Sequence, residues 1–288
     1  MALSLYGLIS SAERDFIING VNDDMRTDGR TCNDFRVIEM ETGCIETTNG
    51  SARVRIGSTE LLVGVKAELE KATLADGDAG RLEFSVDCSP NATPMFEGRR
   101  GGQDIEAEIA TLFNRFYQAE EFMDRKKLTV VPNAWCWVLY VDILILEVGG
   151  NLVDASSIAV KAALLDTRLP LLNIEKGDED EFDIQVSDDP LDGEELDVHP
   201  PLTVTVAKLG HRYIVDPTDE EEAVTLASLI VSVNENGEAR GMKQSGKGSL
   251  DPSSIIEMIS IAKKAAKTLH RSVNRAVAAT EDEDIRRL

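Results

Sequence analysis

Short runs in which apolar and polar residues alternate recur along the chain, and this period of two is typical of half-buried β-strands. Val54, Ile56 and Leu62 belong to one such pair of runs, and Gly57-Ser58 between the runs indicates a hairpin turn. Asn236-Gly237 is a second, stronger hairpin signal. The pattern predicts strands at 35–41, 43–48, 51–56, 60–68, 82–88, 128–132, 136–147, 202–208, 213–215, 226–233 and 239–245.

Four segments place their apolar residues three or four positions apart, which predicts helices at 10–21, 104–123, 151–167 and 253 to about 278. Ser10 and Glu13 fit a capping box at the first helix, and Asp251-Pro252 caps the last. We expect the charged tail after the last helix to be frayed. Hairpins mixed with isolated helices predict an α+β fold rather than a doubly wound one.

The net charge of −22 argues against a general nucleic-acid binder, because such proteins need a basic surface. The acidic residues are unevenly distributed, and eleven of them fall between Asp178 and Asp197. We interpret this run as a solvated loop that divides two subdomains. The longest apolar stretch, 135–146, contains Asp142 and is shorter than the roughly 18 residues of a membrane span, so no membrane partner is expected.

Familiar catalytic motifs are missing from the sequence. It contains no P-loop, no G-x-G-x-x-G opening a helix, no G-x-S-x-G and no H-E-x-x-H. His199, His211 and His270 are far apart, and the four cysteines lack C-x-x-C spacing. We therefore predict no metal site and no cofactor.

Three segments allow a functional interpretation beside an ordinary one. The loop GRRGG at 98–102 could bind phosphate through Arg99 and Arg100, or it could be plain exposed surface. The carboxylates at 216–222 could hold a cation or act as acids, although a turn with a solvated charge run is favoured. The Gly149-Gly150-Asn151 turn could receive phosphate on free amides, or it could simply join a strand to a helix.

Taken in order, several motifs resemble the RNase PH family across nearly the whole chain, from about residue 14 to 273. RTDGR at 26–30 resembles its N-terminal signature, and GSARV at 50–54 with GSTELL at 57–62 resembles its first hairpin. VGGNLVDA at 148–155 resembles the turn and helix that form half of its phosphate pocket. VDPTDEEE at 215–222 resembles the segment beside its catalytic carboxylates.

Other motifs resemble a ring subunit of the RNA exosome within that family. They are KAE at 66–68, VDCS at 86–89, WCWVLY at 135–140, GGNL at 149–152 and GKGSLDP at 246–252. The resemblance implies a hetero-hexameric ring of RNase PH-like subunits that carries three RNA-binding cap proteins and threads RNA through a central channel. It also implies 3′-to-5′ RNA processing and degradation, ribosomal RNA maturation included, in the nucleus, the nucleolus and the cytoplasm.

Departures from the family pattern predict that this chain lacks phosphorolytic activity. Alignment to the family places Glu222 and Ser228 at its two catalytic aspartate positions, and Ser228 carries no charge. Leu152 stands where active members hold phosphate with arginine, and Ile105 aligns near a second phosphate arginine. Phosphorolysis concentrates negative charge on the attacking phosphate, so losing both cations should abolish it. The alternative is an active phosphate-dependent 3′-to-5′ exoribonuclease, and a weaker one is an α+β protein unrelated to RNA.

The resemblance further implies two RNase PH-like subdomains, at 26–190 and 195–275, preceded by an N-terminal helix within 1–25 and followed by a charged tail at 276–288. In related rings the loop at 98–102 and the helix after it face the RNA channel. Arg99, Arg100 and Arg115 are therefore the candidate RNA contacts. The ordinary alternative for Arg115 is an ion pair with Glu108 or Glu120.

Overall fold

The computed structural model describes residues 9–71, 79–97, 102–118, 122–176, 182–187 and 193–287. Its helices are α1 (Ser11–Asn22), α2 (Gln103–Phe116), α3 (Leu152–Asp166), α4 (Asp219–Val224) and α5 (Pro252–Arg287), with 3-10 turns at Pro94–Phe96 and Arg125–Leu128. Its strands are β1 (Ile38–Thr42), β2 (Gly50–Ile56), β3 (Thr59–Lys71), β4 (Arg81–Cys88), β5 (Thr129–Val131), β6 (Trp135–Glu147), β7 (Arg168–Leu169), β8 (Leu172–Lys176), β9 (Phe182–Val186), β10 (Glu194–Glu195), β11 (Leu202–Leu209), β12 (Arg212–Val215), β13 (Ala227–Val233) and β14 (Ala239–Gly246).

Two sheets carry the architecture. The first has the order β1-β2-β3-β6-β4, with β5 also paired to β6, and only β4 runs parallel to its neighbour. The second has the order β12-β11-β13-β14 and is antiparallel throughout. Both hairpins that the turn residues predicted are present, β2–β3 around Gly57 and β13–β14 around Gly237. This mixture of sheets and helices confirms the α+β fold class.

Helix α3 is the centre of the molecule, because it contacts β2 and β3 of the first sheet and β11 of the second. Its run of alanine, valine and leucine leaves almost no polar face, and nearly the whole helix is buried. A helix that is apolar all round has to be covered on every side. Asp154 and Lys161 are the only charged residues in its buried part, and both side chains are inaccessible. Any partners they have must therefore be found inside the protein.

Helix α5 completes two separate cores. Met258, Ala262 and Ala266 pack against β11 and β13. Further along the same helix, Leu269 and Val273 join the main core formed by the first sheet, α2 and α3. None of the helices in the described part of the chain is both long and apolar enough to cross a membrane.

Several sequence expectations need correction. Residues 43–48 form turns rather than a strand, because Ser51 and Thr48 bond the backbone of Ile45 and fold it locally. Helix α2 ends at Phe116, well before the expected residue 123, and α4 was not expected at all. Helix α5 runs to Arg287 rather than to about 278, since its charged last turns contain no proline or glycine. The acidic segment contains β9 and β10, so it is not simply a loop.

Candidate functional site

The turn that enters α3 has a conformation that few residues can adopt. Gly150 has φ +89°, and a Cβ there would lie 2.5 Å from the backbone nitrogen of Asp219, so only glycine fits. Asn151 follows at φ +53°, a left-handed conformation that asparagine tolerates. The Thr59 hydroxyl donates to the Gly150 carbonyl (2.7 Å) and accepts from the Gly149 amide (3.1 Å). The turn is thereby fixed to the start of β3.

The backbone amide of Asn151 donates to the Glu222 carboxylate over 2.9 Å. A phosphate received at this turn would have to compete with that carboxylate for the amide. Burial raises the pKa of Glu222 to about 8. The Asn151 amide and the charge of Arg36 oppose the rise, whereas Asp154 and Asp216 add to it. Glu222 is therefore largely protonated at neutral pH, and it can donate as well as accept a hydrogen bond.

Asp216 is the centre of an ionic network behind the turn. Its side chain is inaccessible to solvent, and it accepts from the Arg36 backbone amide (2.9 Å), Nε (2.9 Å) and guanidinium NH2 (2.8 Å). Arg30 NH1 lies 3.0 Å from Asp216 Oδ2, and Asn151 Nδ2 donates to Asp216 Oδ1 over 2.9 Å. Burial alone would raise the pKa of Asp216, but the hydrogen bonds and charge of Arg36 lower it below its ordinary value. Asp216 therefore stays ionised.

The remaining donors of Arg36 are occupied by the turn itself. Its guanidinium donates to the Gly149 carbonyl over 2.6 Å and to the Gly150 carbonyl over 3.1 Å. Arg36 is the arginine whose charge acts on Glu222, yet its donors point to Asp216 and to these carbonyls. It fixes the turn and is not free to clamp a ligand phosphate.

Arg26 and Glu221 form a second buried pair beside Asp216. Arg26 Nε donates to Glu221 Oε1 over 2.8 Å, and its NH2 donates to Oε2 in the two-pronged arrangement typical of arginine and carboxylate. The same guanidinium donates to the carbonyls of Val215 (2.9 Å) and Asp216 (2.8 Å). Glu221 also completes a capping box with Thr218 at the start of α4. We call these five residues the arginine cluster: Arg26, Arg30, Arg36, Asp216 and Glu221.

These contacts correct the favoured interpretation of 216–222 as a turn with a solvated charge run. Asp216 and Glu221 are buried, and each forms ion pairs with arginine. Glu222 accepts a hydrogen bond from the backbone amide of the turn before α3. These two carboxylates can be buried rather than solvated because Arg26 and Arg36, which are far away in sequence, supply the compensating charge. Only Glu220 of this run is exposed.

Asp154, two residues into α3, adds a further buried carboxyl group. It accepts from the Thr205 amide (2.7 Å), the Thr205 hydroxyl (2.9 Å) and Asn151 Nδ2 (2.9 Å). Burial raises its pKa to about 7 against these hydrogen bonds. Asn151 is thus held between Asp154 and Asp216, while its Oδ1 is buried without a hydrogen-bond partner.

A cleft of about 80 Å³ opens in front of this network, and three of the sequence-predicted positions line it together. Leu152, Glu222 and Ser228 come from α3, α4 and β13 respectively. Its described lining contains no lysine, arginine or histidine. The remaining described lining residues are Asn151, Val153, Thr205, Ala207, Pro217, Thr225, Ile230, Ser245 and Gly246.

The other candidate residues lie elsewhere or beyond the described residues. Ile105 is in the first turn of α2, but it is buried in the main core and does not line the cleft. Arg115 is exposed in the last turn of α2. Glu108, one of its expected partners, bonds Lys243 instead, and Glu120 is outside the described residues. Arg99 and Arg100 are likewise outside the described part of the chain.

A second buried ionic group lies further along α3. Lys161 is inaccessible to solvent, and its Nζ lies 2.6 Å from Glu235 Oε1 and 2.9 Å from His270 Nδ1. His270 Nε2 is 3.0 Å from the Val233 carbonyl, which assigns the ring proton to Nε2 and leaves Nδ1 to accept from the lysine. Asn274 also donates to Glu235. We call Lys161, Glu235 and His270 the lysine cluster.

Burial governs the charges of the lysine cluster. It lowers the pKa of Lys161 despite the Glu235 carboxylate, and it lowers the pKa of His270 to about 4, aided by the charge of Lys161. His270 is therefore neutral at physiological pH. The cluster joins α3, the end of β13 and α5, so it fastens the central helix to the second sheet.

The sequence analysis missed both clusters, although the sequence contains one indication that charges are buried on α3. Asp154 and Lys161 stand two turns apart in a helix that is otherwise apolar, and buried charges are paired. Their partners could not be named, because nothing local to Thr205 or Glu235 distinguishes them from other polar residues.

The two sheets, the central helix and the cleft at its start define the class of fold. The structure resembles a chain of the solved Archaeoglobus fulgidus exosome with RNA bound to the active site, with a TM-score of 0.78 and 30% sequence identity. The match covers 91% of this chain and 97% of that one. The fold is therefore the RNase PH-like fold of exosome subunits.

Sequence comparison leads to the same family. Residues 34–170 match the model for domain 1 of the 3′ exoribonuclease (RNase PH) family, and 199–265 match domain 2. A Dictyostelium discoideum protein, provisionally named exosome complex exonuclease RRP42, is 35% identical, with 88% of this chain and 93% of that protein aligned. The exosome complex component Rrp42 of Thermococcus kodakarensis is 34% identical, with 94% and 97% aligned. The chain belongs to the RNase PH family, as its motifs predicted.

Proposed function

We propose that the chain is a non-catalytic ring subunit of the RNA exosome. The observation that carries this proposal is the cleft, whose described lining offers Glu222 and Ser228 but no cation. Attack by phosphate needs positive charge at the reacting oxygens. Arg36 cannot supply it without releasing Asp216 and the Gly149 carbonyl. The described lining of the cleft therefore lacks the positive charge that phosphorolysis would need.

The relatives support the assembly that this role requires. Two are named as exosome proteins, and the matched solved structure is an exosome with RNA bound. In the proposed assembly the chain joins other RNase PH-like subunits in a hetero-hexameric ring with RNA-binding cap proteins. It supports 3′-to-5′ RNA processing and degradation, ribosomal RNA maturation included. We propose the nucleus, the nucleolus and the cytoplasm as its locations, since the role places it where these RNAs are processed.

A phosphorolysis assay tests the absence of activity. Purified chain with RNA and inorganic phosphate should release no nucleoside diphosphate above a protein-free blank, and Glu222→Gln should be identical to wild type. An active member of the family serves as the positive control. The alternative is an active exoribonuclease, favoured by the name of the Dictyostelium relative and by the carboxyl group of Glu222. Phosphate-dependent release that disappears in Glu222→Gln would establish that alternative.

Purification from cells tests the assembly. A tagged chain should bring down other RNase PH-like subunits and cap proteins in stable proportions. Recovery of the chain alone, or with proteins unrelated to RNA, would contradict the ring. This outcome is independent of the phosphorolysis assay, so the two parts of the proposal can fail separately.

We also propose that Arg99, Arg100 and Arg115 contact RNA along the central path. In the assembled ring, Arg99→Glu with Arg100→Glu should weaken RNA protection, and the deficit should shrink as salt rises. Each phosphate contact on single-stranded RNA contributes a slope of about −0.7 to the logarithmic salt dependence, so two lost contacts should flatten it. Arg14→Glu with Arg275→Glu, exposed on α1 and α5, is the matched control. An unchanged slope in the loop variant would identify the loop as ordinary surface.

A further inference from the structure

Helix α5 presents a row of cations to solvent. Lys264, Lys267, Arg271 and Arg275 are all exposed. They follow one another at intervals of three or four residues, which places them on one side of the helix. The apolar residues on the opposite side of α5 pack into the two cores. We call these four residues the α5 basic ridge.

The charge of the ridge is not neutralised by the rest of the described protein. The chain has a net charge of −22, yet residues 258–280 contain five lysines and arginines and no aspartate or glutamate. None of the four ridge residues forms an ion pair with another residue that the structure describes. Exposed cations without a partner attract anionic groups from outside the molecule.

The ridge is separate from the cleft at the start of α3. Thr205 and Ser228 line the cleft, whereas Val204 and Leu229 beside them belong to the core that α5 covers. Successive residues of a strand point to opposite faces of a sheet. The α5 basic ridge and the cleft therefore lie on opposite sides of the second sheet.

Acidic residues limit the ridge at both ends. Lys264 and Arg275 are eleven residues apart, which is about 16 Å along a helix. Glu257 is exposed two turns before Lys264, and every residue from 281 to 284 is acidic in the sequence. Both acidic positions begin about 10 Å beyond the ridge along the helix axis, close to one Debye length at moderate salt. A long polyanion such as an RNA strand meets like charge at both ends, whereas a short acidic segment does not.

A cavity of about 610 Å³ opens beside the ridge, between α5 and the β11–β12 turn. Lysine and arginine in its described lining are balanced by acidic residues, so the cavity does not favour either charge. These charged lining residues are Asp24, Arg212, Glu257 and Lys264. Ile261 and Ala265 of α5 and Tyr213 of β12 supply apolar surface. The cavity therefore suits an uncharged side chain next to the positive ridge.

We propose that the α5 basic ridge and this cavity form a docking site for a short acidic segment of another protein that carries one aliphatic side chain. The carboxylates of the segment face the four ridge cations, and its aliphatic side chain enters the cavity against Ile261 and Ala265. Opposite charge speeds the encounter and selects acidic partners over basic ones. This inference goes beyond the proposed ring role and does not depend on it.

Binding of a defined probe to the full-length chain tests the proposal. The probe is a fluorescent peptide of five glutamates and one leucine, and the controls replace either all glutamates with lysine or the leucine with serine. Both controls should bind at least roughly tenfold more weakly, since each lacks one of the two interactions. An oligouridine RNA should not displace the probe. Equal binding of either control, or displacement by the RNA, would overturn the proposal.

A pair of charge-matched double variants locates the binding. Lys267→Glu with Arg271→Glu should weaken probe binding roughly tenfold, because two attractive contacts become repulsive. Arg14→Glu with Lys126→Glu changes the net charge equally at exposed positions outside α5, and should weaken binding less than about twofold. No loss in the ridge variant, or an equal loss in both variants, would refute the docking site.

Cross-linking on wild-type protein decides the question if the ridge variant unfolds. A carbodiimide joins carboxylates to lysine amines that lie in contact with them. The probe should become attached to Lys264 and Lys267, and it should leave the exposed Lys126 and Lys247 unmodified. Attachment mainly at Lys126 or Lys247, or no attachment at the ridge, would overturn the assignment.

Discussion

The arginine cluster and the lysine cluster both bury charge around α3, but they satisfy it in different ways. In the arginine cluster, planar guanidinium groups meet carboxylates and backbone carbonyls at once, and Asp216 is entirely inaccessible. In the lysine cluster, one ammonium group bonds one carboxylate and one imidazole, and the Glu235 side chain remains 33% exposed. Arginine supplies five fixed donors whereas lysine is a compact point charge. The two clusters should therefore fail differently when one partner is removed.

The comparison also bears on the described lining of the cleft, which contains no lysine, arginine or histidine. Three arginines, Arg26, Arg30 and Arg36, lie behind the turn. None of the three lines the cleft, and their guanidinium groups bond Asp216, Glu221 and backbone carbonyls instead. In this region the arginines bond the backbone carbonyls of the turn and of β12, and they thereby hold the wall of the cleft in place.

The largest effect is expected from Asp216→Asn. This change removes the charge but keeps the shape, and asparagine tolerates the left-handed conformation at φ +47°. It leaves Arg30 and Arg36 without a buried counter-charge, so the free energy of unfolding should fall by about 3–5 kcal/mol. Urea denaturation measures the loss. Asp24→Asn, an exposed aspartate at φ +61°, is the matched control and should cost less than about 1 kcal/mol. Equal costs would show that the arginine cluster is not a stabilising unit.

A smaller effect is expected from Glu235→Gln in the lysine cluster. Lys161 then remains buried without its carboxylate, which should cost about 2–3 kcal/mol of unfolding free energy. Lys161→Met should cost less, because it leaves Glu235 with access to water and fills the space with an apolar side chain. Glu238→Gln is the control, because Glu238 is an exposed ion-pair partner of Arg240 in the β13–β14 hairpin. A greater loss in Lys161→Met than in Glu235→Gln would contradict this account.

A pH-dependent effect is expected at the rim of the arginine cluster. The folded-state pKa of Glu222 is about 8, above its unfolded value. Between these two pH values the Glu222 carboxyl group is protonated in the folded protein and ionised in the unfolded chain. Stability must therefore fall as pH rises through this window. Glu222→Gln retains an oxygen for the Asn151 amide and should be more stable than wild type by roughly 1–3 kcal/mol near pH 9, with no difference near pH 4. Thermal unfolding across this range tests it, and parallel wild-type and variant profiles would count against a raised pKa.

The smallest effect is expected from an exposed pair that neither cluster includes. Lys127 and Asp197 are in contact, but their side chains are 58% and 63% exposed. Asp197→Asn should change the free energy of unfolding by about 0–1 kcal/mol, and added salt should erase the difference. A loss as large as that of Glu235→Gln would mean that burial does not separate the clusters from surface pairs.

Local pattern was sufficient to predict much of the fold. The alternation in 51–68, the Asn236-Gly237 turn and the apolar run of α3 each fix an element through neighbours in sequence. Local pattern gave the wrong element at 43–48, where side-chain hydrogen bonds to the Ile45 backbone replace sheet pairing. It also did not predict α4, which is only six residues long. It also failed to show the β8–β9 hairpin, because the acidic residues hide the four paired aliphatic positions.

The candidate site was predictable only in part. Leu152, Glu222 and Ser228 were placed by resemblance, and the structure brings them into one cleft. The network behind them could not be derived, because Arg36 and Asp216 are 180 residues apart in sequence. Charge counting alone makes 216–222 a solvated run, and only the fold shows that Arg26 and Arg36 neutralise it.

The packing of α5 has a consequence for synthesis on the ribosome. Leu269, Val273 and Val277 belong to the main core, yet the other buried members of that core precede residue 231. The part of the main core that these three residues cover therefore stays open until the 36 residues of α5 are translated, which takes about 2–7 s at ordinary elongation rates. During that interval the nascent chain exposes an aliphatic surface. A chaperone that recognises such surfaces should remain bound until α5 emerges and docks.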